Sequence, residues 1–202
     1  MNQNAIKNIW AVGRNYGEHA KELGNAVPTS QQDPMIFLKA GSCVVANGET
    51  FELPGFSKDI HHECEVAFLF NEKLEFEELT LALDLTARDV QDRLKKAGHP
   101  WTLAKSFKNS CPLGIWAKIP KGQDLQNLKF TFKVNGEMRQ SGTTSDMIHS
   151  VEALRRYVID RFPVVPGDVL LTGTPQGVGL LRSGEKLLAQ IEGLVEASWQ
   201  IA

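Results

Sequence analysis

A chain of 202 residues with 42% hydrophobic side chains is long enough to bury a sizeable core, and its net charge of −2, built from 22 basic and 24 acidic residues with no basic block, argues against a nucleic-acid partner. The three cysteines, Cys43, Cys64 and Cys111, form no CxxC pair and are odd in number, which argues against a disulfide framework or a thiolate zinc site and for a reducing compartment. No apolar run approaches the ~20 residues that span a bilayer, and residues 1–9 are polar with no signal-peptide core, so a soluble cytoplasmic protein is expected.

In chain order, residues 9–12 read as a short strand ending at Gly13, and 16–23 as a helix that stops at Gly24 and carries His19 and Glu22 on one face. A polar loop (25–34) leads to short strands at 35–39 and 42–45. Residues 63–70 read as a strand, 71–78 as a turn with one short helix, and 80–86 as a second strand. A helix over 89–97 closes at Gly98, and 113–117 reads as a strand. Leu128, Phe130, Phe132 and Val134 alternate with polar residues and run into Asn135-Gly136, a strong hairpin signal, with 138–141 as the return strand. Met147, Ile148, Val151, Leu154, Val158, Ile159 and Phe162 keep helical spacing behind a Thr144 or Ser145 cap, and Pro163 ends that helix. Strands at 169–171, 186–191 and 194–201 complete the chain. Many short strands without regular strand–helix alternation predict an α+β, β-rich roll or sandwich with one long packing helix. No repeat or linker stands out, so residues 1–202 are expected to form one domain.

The chemistry concentrates in His62-Glu63-Cys64-Glu65-Val66 and in Asp84. Side chains alternate along a strand, so Glu63 and Glu65 share a face while Cys64, Val66, Phe68 and Phe70 take the other, apolar one. Like charges about 4 Å apart repel by roughly 4 kcal/mol at an effective dielectric near 20. A cation, a shared proton or wide solvent exposure has to offset that. On the next strand Asp84 shares a face with Ala82, Thr86 and Arg88, with Leu81, Leu83 and Leu85 opposite. Three carboxylates on neighbouring strands make an all-oxygen site suited to Mg²⁺ or Mn²⁺. The residues alone leave open a solvated acidic face with Asp84 capping a turn.

The chain resembles the fumarylacetoacetate hydrolase family, in its small acylpyruvase and oxaloacetate decarboxylase-like branch. The resemblance rests on Val12-Gly13-Arg14-Asn15-Tyr16, His19-Ala20-Lys21-Glu22-Leu23-Gly24, Phe37-Leu38-Lys39, His61-His62-Glu63-Cys64-Glu65, Leu83-Asp84-Leu85-Thr86-Ala87-Arg88-Asp89-Val90-Gln91, Pro100-Trp101-Thr102-Leu103-Ala104-Lys105-Ser106-Phe107, Asn135-Gly136-Glu137, Thr143-Thr144-Ser145-Asp146-Met147-Ile148 and Pro166-Gly167-Asp168 through Thr172-Gly173-Thr174-Pro175-Gln176-Gly177-Val178-Gly179. It implies a mixed β-sandwich roll, a divalent cation, usually Mg²⁺ or Mn²⁺, on Glu63, Glu65 and Asp84, and a homodimer. The stretch between Glu65 and Asp84 is about ten residues shorter than the family pattern, which implies a trimmed connecting helix.

The resemblance further implies a small 2-oxoacid substrate whose carboxylate and adjacent carbonyl the ion chelates, with chemistry through a metal-bound enolate. C–C hydrolysis of acylpyruvates or decarboxylation of oxaloacetate comes first. Oxaloacetate tautomerisation and isomerisation or decarboxylation of a hydroxylated dienedioate are the alternatives, with a catalytically silent 2-oxoacid-binding protein as the reading of another class. His19 and Glu22 would form a general-base pair on a mobile lid within residues 1–34, and Lys105 would be the active-site lysine. Gly173 and Thr174 would meet the substrate carboxylate, and Arg14, Tyr16, Lys39, Arg88 and Gln91 would be further substrate contacts. The 172–179 loop lacks a Gly-Lys-Ser/Thr ending, which argues against nucleotide binding.

Overall fold

The computed structural model describes residues 6–202, so the first five residues of the expected lid segment lie outside the described residues. The chain begins with β1 (Asn8–Gly13), α1 (Gly17–Glu22), β2 (Met35–Ala40), β3 (Val44–Val45), β4 (Thr50–Phe51), β5 (Ile60–His62), β6 (Cys64–Phe70) and β7 (Phe76–Leu83). Next come β8 (Thr86–Ala87), α2 (Arg88–Ala97), α3 (Thr102–Lys105), β9 (Cys111–Pro112) and β10 (Ala117–Lys118). The last part holds β11 (Lys129–Val134), β12 (Glu137–Thr143), α4 (Val151–Arg161), β13 (Val169–Leu171), β14 (Gly179–Leu180), β15 (Lys186–Ile191) and β16 (Val195–Ile201).

Two larger sheets carry the fold, a mixed one in the order β10-β7-β6-β13-β1-β2 and a second in the order β12-β11-β15-β16-β4. In the first, β1 and β13 run parallel, and the remaining neighbours are antiparallel. Val66, Phe68, Leu79, Leu81 and Leu83 of that sheet share one core with Phe130, Phe132, Leu187, Ala189, Ala197 and Trp199 of the other, the sandwich the alternating pattern predicts. Ile9, Ala11, Ala67, Leu69, Ala82, Val169 and Leu171 form a second core on the opposite face of the first sheet. The carboxylate side of β6 therefore continues into buried apolar residues and is not a solvated face. A third cluster, around Trp10, Val12, Phe70 and Leu170, receives Leu154 and Val158 of α4.

Several sequence expectations are corrected. Residues 71–78 form no helix: Asn71 and Leu74 close a tight turn, and β7 starts at Phe76, so β6 and β7 are a direct hairpin. The shorter connection is thus a turn and not a trimmed helix. Residues 113–117 are not one strand, because the pairing divides between β9 and β10. The helix expected from Thr144 begins at Val151, with the Ser150 hydroxyl accepting the Ala153 N–H at 3.2 Å. Met147 and Ile148 fall outside it, since Met147 bridges to Tyr16 and the Ile148 and His149 N–H groups donate to Asn15. Tertiary pairing overrides helical spacing there. At 11 residues α4 is hardly longer than α2 at 10, so there is no single dominant helix. The Asn135-Gly136 hairpin forms as expected between β11 and β12, with positive φ at both turn residues, 52° and 83°.

Candidate metal centre and substrate cavity

Glu63 occupies the gap between β5 and β6, where the chain crosses from a small three-stranded sheet (β14-β5-β8) into the large one. Glu65 is on β6 opposite Ala82. Asp84 is not within a strand, as the pattern suggested: β7 ends at Leu83 and β8 starts at Thr86. The hairpin still delivers it, since the Asp84 N–H donates to the Glu63 carbonyl at 2.8 Å. All three carboxylates are buried, and each offers an oxygen within 4.8 Å of the others.

Three buried cations stand against them. The Lys39 ammonium donates to Asp84 Oδ1 at 2.7 Å and to the carbonyls of Leu85 and Lys105. The Lys105 ammonium donates to Glu63 Oε2 (2.8 Å), Asp84 Oδ2 (2.5 Å) and Thr86 Oγ1 (2.6 Å), which commits all three of its hydrogens. Arg88, at the start of α2, bonds Glu63 Oε1 and reaches Gln91 Oε1 at 2.8 Å. Burial alone would raise the Glu63 pKa, but Lys105 and Arg88 hold it well below the usual carboxylate range. Burial would lower that of Lys105, and Asp84 and Glu63 outweigh it, so its pKa is raised. Glu65 differs: burial, then Asp84 and Glu63, push its carboxyl well above the ordinary value. Its one hydrogen-bond donor among the described residues is the Gly173 N–H, at 2.6 Å, and it forms no ion pair there.

The donor set fits a hard dication. Its ligands are all oxygen, and the carboxylate without a countercharge, Glu65, is the one a dication would relieve. The three cations formally cancel the three carboxylates, so an ion on Glu63, Glu65 and Asp84 would leave the site with about two positive charges for an anionic ligand.

A residue the sequence reading missed braces this strand. Gln140, 1% exposed on β12, accepts the Cys64 N–H at 3.0 Å, between the two glutamates, and meets His62 Nδ1 at 3.0 Å. Its amide donates to Thr174 Oγ1 (2.7 Å) and to the Pro175 carbonyl (2.9 Å), while the Thr174 hydroxyl donates to the Cys64 carbonyl at 2.9 Å. The available signal was a lone amide in register with Phe132, on the buried row of the hairpin. His62 is a partner of Gln140 and forms no hydrogen bond with the carboxylates; burial lowers its pKa to about 4.

Glu63, Arg88 and Lys105 line a narrow cavity together with Arg14, His19, Gln91, Lys95 and Trp101. Its free space is about 30 Å³, room for roughly two waters. His19 is buried on α1, and its Nδ1 lies 3.3 Å from Glu22 Oε2. Glu22 also accepts the Gly177 N–H, so the segment carrying His19 rests on the loop after β13. A side chain at Gly177 is barred: its φ is +96° and a Cβ would lie 2.2 Å from the Arg139 carbonyl oxygen.

Four expected substrate contacts are placed differently. Lys39 is fully buried behind Asp84, away from the cavity lining. Tyr16 is buried in the main core and its hydroxyl has no hydrogen-bond partner; burial, then Glu65, raise its pKa. The Gly173 N–H faces Glu65, and the Thr174 hydroxyl is taken up by Cys64 and Gln140. The structure thus brings together Glu63, Glu65, Asp84, Lys105 and Arg88 with His19, Glu22, Arg14 and Gln91, while Lys39 and Gly173 stand behind the carboxylates as partners of Asp84 and Glu65, and Thr174 is bound to Cys64 and Gln140.

The family model described as fumarylacetoacetate (FAA) hydrolase C-terminal matches residues 8–202. The oxaloacetate tautomerase YcgM of Escherichia coli is 42% identical over 201 residues, covering 93% of this chain and 90% of that protein. The mitochondrial oxaloacetate tautomerase FAHD1 of Bos taurus is 39% identical over 205 residues, covering 96% and 91%. A solved fumarylpyruvate hydrolase from Pseudomonas aeruginosa, in complex with Mn²⁺ and pyruvate, superposes with a TM-score of 0.88 at 32% identity, covering 98% of this chain and 90% of that one. With its architecture, its carboxylate cluster and these similarities in agreement, the chain belongs to the fumarylacetoacetate hydrolase family.

Proposed function

We propose that this protein is a Mg²⁺- or Mn²⁺-dependent enzyme acting on short 2-oxoacids, and that its principal reaction is keto–enol tautomerisation of oxaloacetate. The observation that carries this reading is the buried cluster of Glu63, Glu65 and Asp84, in which Glu65 lacks a countercharge. The sequence reading ranks hydrolysis and decarboxylation first. The tautomerase relatives at 42% and 39% identity favour the proton-transfer reaction instead.

A bound ion would supply Lewis-acid polarisation of the 2-oxo group. Glu63, Glu65 and Asp84 would hold it, and Lys39, Lys105 and Arg88 pair with Glu63 and Asp84 and fix those two carboxylates in place. His19 is the proton carrier. With Nδ1 turned to Glu22, its Nε2 is the nitrogen able to carry a proton between the carbon next to the carbonyl and the 2-oxo oxygen. The free space beside Glu63 is about 30 Å³, less than a four-carbon diacid fills, which supports a lid role for the segment that bears His19 and is seated through Glu22 on Gly177.

A second reading, C–C hydrolysis of an acylpyruvate, uses the same His19–Glu22 pair to activate water, and the likeness to the fumarylpyruvate hydrolase favours it. The test follows the decay of oxaloacetate enol by ultraviolet absorbance, with pyruvate release from oxaloacetate and acetylpyruvate measured in parallel. Faster enol decay that is lost on chelation and restored by Mg²⁺ or Mn²⁺ is expected. No acceleration of any of the three reactions with either ion contradicts the proposal and leaves a silent binding protein.

A further inference from the structure

The carboxylate end of the cavity is balanced, whereas the opposite end is not. Arg88, Gln91 and Lys95 line the cavity at intervals of three and four along α2, so one helical stripe leads outward from the carboxylates. The helix rises about 10 Å from Arg88 to reach Lys95. The Lys95 ammonium nitrogen stands 5.2 Å from the centre of the Trp101 ring, and Trp101 lines the same cavity. Arg14 lines the same cavity from the segment after β1, with a φ of 59°, a left-handed backbone conformation for a non-glycine residue.

Neither Arg14 nor Lys95 forms an ion pair or a hydrogen bond with an acid among the described residues. Glu63 is the one carboxylate lining the cavity, and Arg88 and Lys105 already occupy it. Burial, then Arg88, lower the Lys95 pKa, and Arg14 and Lys105 add to this against Asp92 on the same helix, so Lys95 and Arg14 feel one another with no acid paired to either. Two partly buried cations that line one cavity and have no paired acid are costly unless a ligand brings negative charge.

We propose that Lys95 and Arg14 form a subsite for a second carboxylate at the far end of the substrate, so that the enzyme selects short 2-oxo diacids over 2-oxo monoacids. Lys95 is the specificity-determining residue, held in its working position by the Trp101 face. The subsite rests on the 2-oxoacid reading of the ion site, with the 2-oxo head at the carboxylate end and the tail under Lys95 and Arg14.

Calorimetric binding to the Mg²⁺-loaded protein tests it with three probes: oxalate, which is a head group alone, and the pair oxaloacetate and 2-oxobutanoate, which differ by a terminal carboxylate against a methyl. The wild type should bind oxaloacetate about tenfold or more tighter than 2-oxobutanoate. Lys95→Met should remove most of that preference while leaving oxalate, 2-oxobutanoate and Mg²⁺ binding within about twofold, and Lys95→Arg should keep it. A wild type that binds oxalate without preferring the diacid overturns the subsite alone, as does a Lys95→Met variant that weakens both members of the pair alike or neither. A wild type that binds no oxalate in the presence of Mg²⁺ overturns the ion-site reading and the subsite together.

Discussion

The Glu22 carboxylate accepts the Gly177 N–H with both oxygens, at 3.0 and 3.2 Å, and so ties α1 to the loop between β13 and β14. Most of residues 24–33 are exposed, so this contact is a main anchor at the open end of that segment. Glu22→Ala should release it. Hydrogen exchange over residues 17–34 should rise severalfold while Mg²⁺ affinity stays unchanged, and unchanged exchange would contradict the latch.

His19 is the proton carrier of the proposed reaction, and it lies outside the carboxylate cluster. His19→Ala should lower kcat for oxaloacetate tautomerisation by about 10² to 10⁴, the range typical of a lost general base. Mg²⁺ affinity should change little. Equal loss of ion binding would place His19 in the wrong role.

Gln140 satisfies four polar groups at once, among them the N–H between the two glutamates. Gln140→Met keeps the approximate volume and leaves those groups unpaired. A stability loss of about 2–3 kcal/mol is expected, with Mg²⁺ affinity lowered about tenfold through the displaced strand. Denaturant unfolding and calorimetry read the two effects separately, and a variant that binds Mg²⁺ as tightly as the wild type would contradict the bracing role.

Asp168 is a buried carboxylate remote from that chemistry. It accepts the Trp10 indole N–H at 2.9 Å, the Asn8 and Val165 N–H groups and the Asn8 amide, fastening β1 to the turn before β13. Asp168→Ala should cost about 3 kcal/mol of stability in urea unfolding, since it strands several buried donors. It should leave the ion affinity of the folded protein unchanged.

On the surface of α4, Glu152 takes hydrogen bonds from Arg155 and Arg156, which lower its pKa from 4.5 to about 2. A folded-state pKa below the unfolded one stabilises at pH above about 4.5, and that contribution is lost as pH falls toward 2. The carboxylate is half-exposed, so the effect stays below about 1 kcal/mol. The stability difference between wild type and Glu152→Gln should shrink over that interval, and a constant difference would contradict the assignment.

The carboxylate cluster was legible because the spacing is local: Glu63, immediately before β6, and Glu65, its second residue, stay close whatever the rest of the chain does. The hairpin at Asn135-Gly136 and the apolar rows of β11 were legible for the same reason. Lys39 and Gly173 were legible as functional residues but not as supports, because whether a side chain faces the cavity or the back of Asp84 depends on which strands become neighbours. Gln140 and Lys95 were missed on similar grounds. A polar residue on an amphipathic hairpin and a lysine late in a charged helix carry no local mark of the cavity they meet. The late start of α4 escaped detection because Asn15, far away in sequence, captures the backbone of Ile148 and His149.

The central claim is that Glu63, Glu65 and Asp84 hold one divalent ion, and calorimetric titration of Mg²⁺ and Mn²⁺ into wild type and Glu65→Gln tests it most directly. Glutamine has the shape of the protonated glutamic acid that burial and its acidic neighbours favour, so the ion-free variant should be at least as stable as the wild type. One ion bound per wild-type chain, with affinity reduced at least about tenfold in the variant, is the predicted result. A wild type that binds neither ion, or a variant that binds them equally well, would contradict the account.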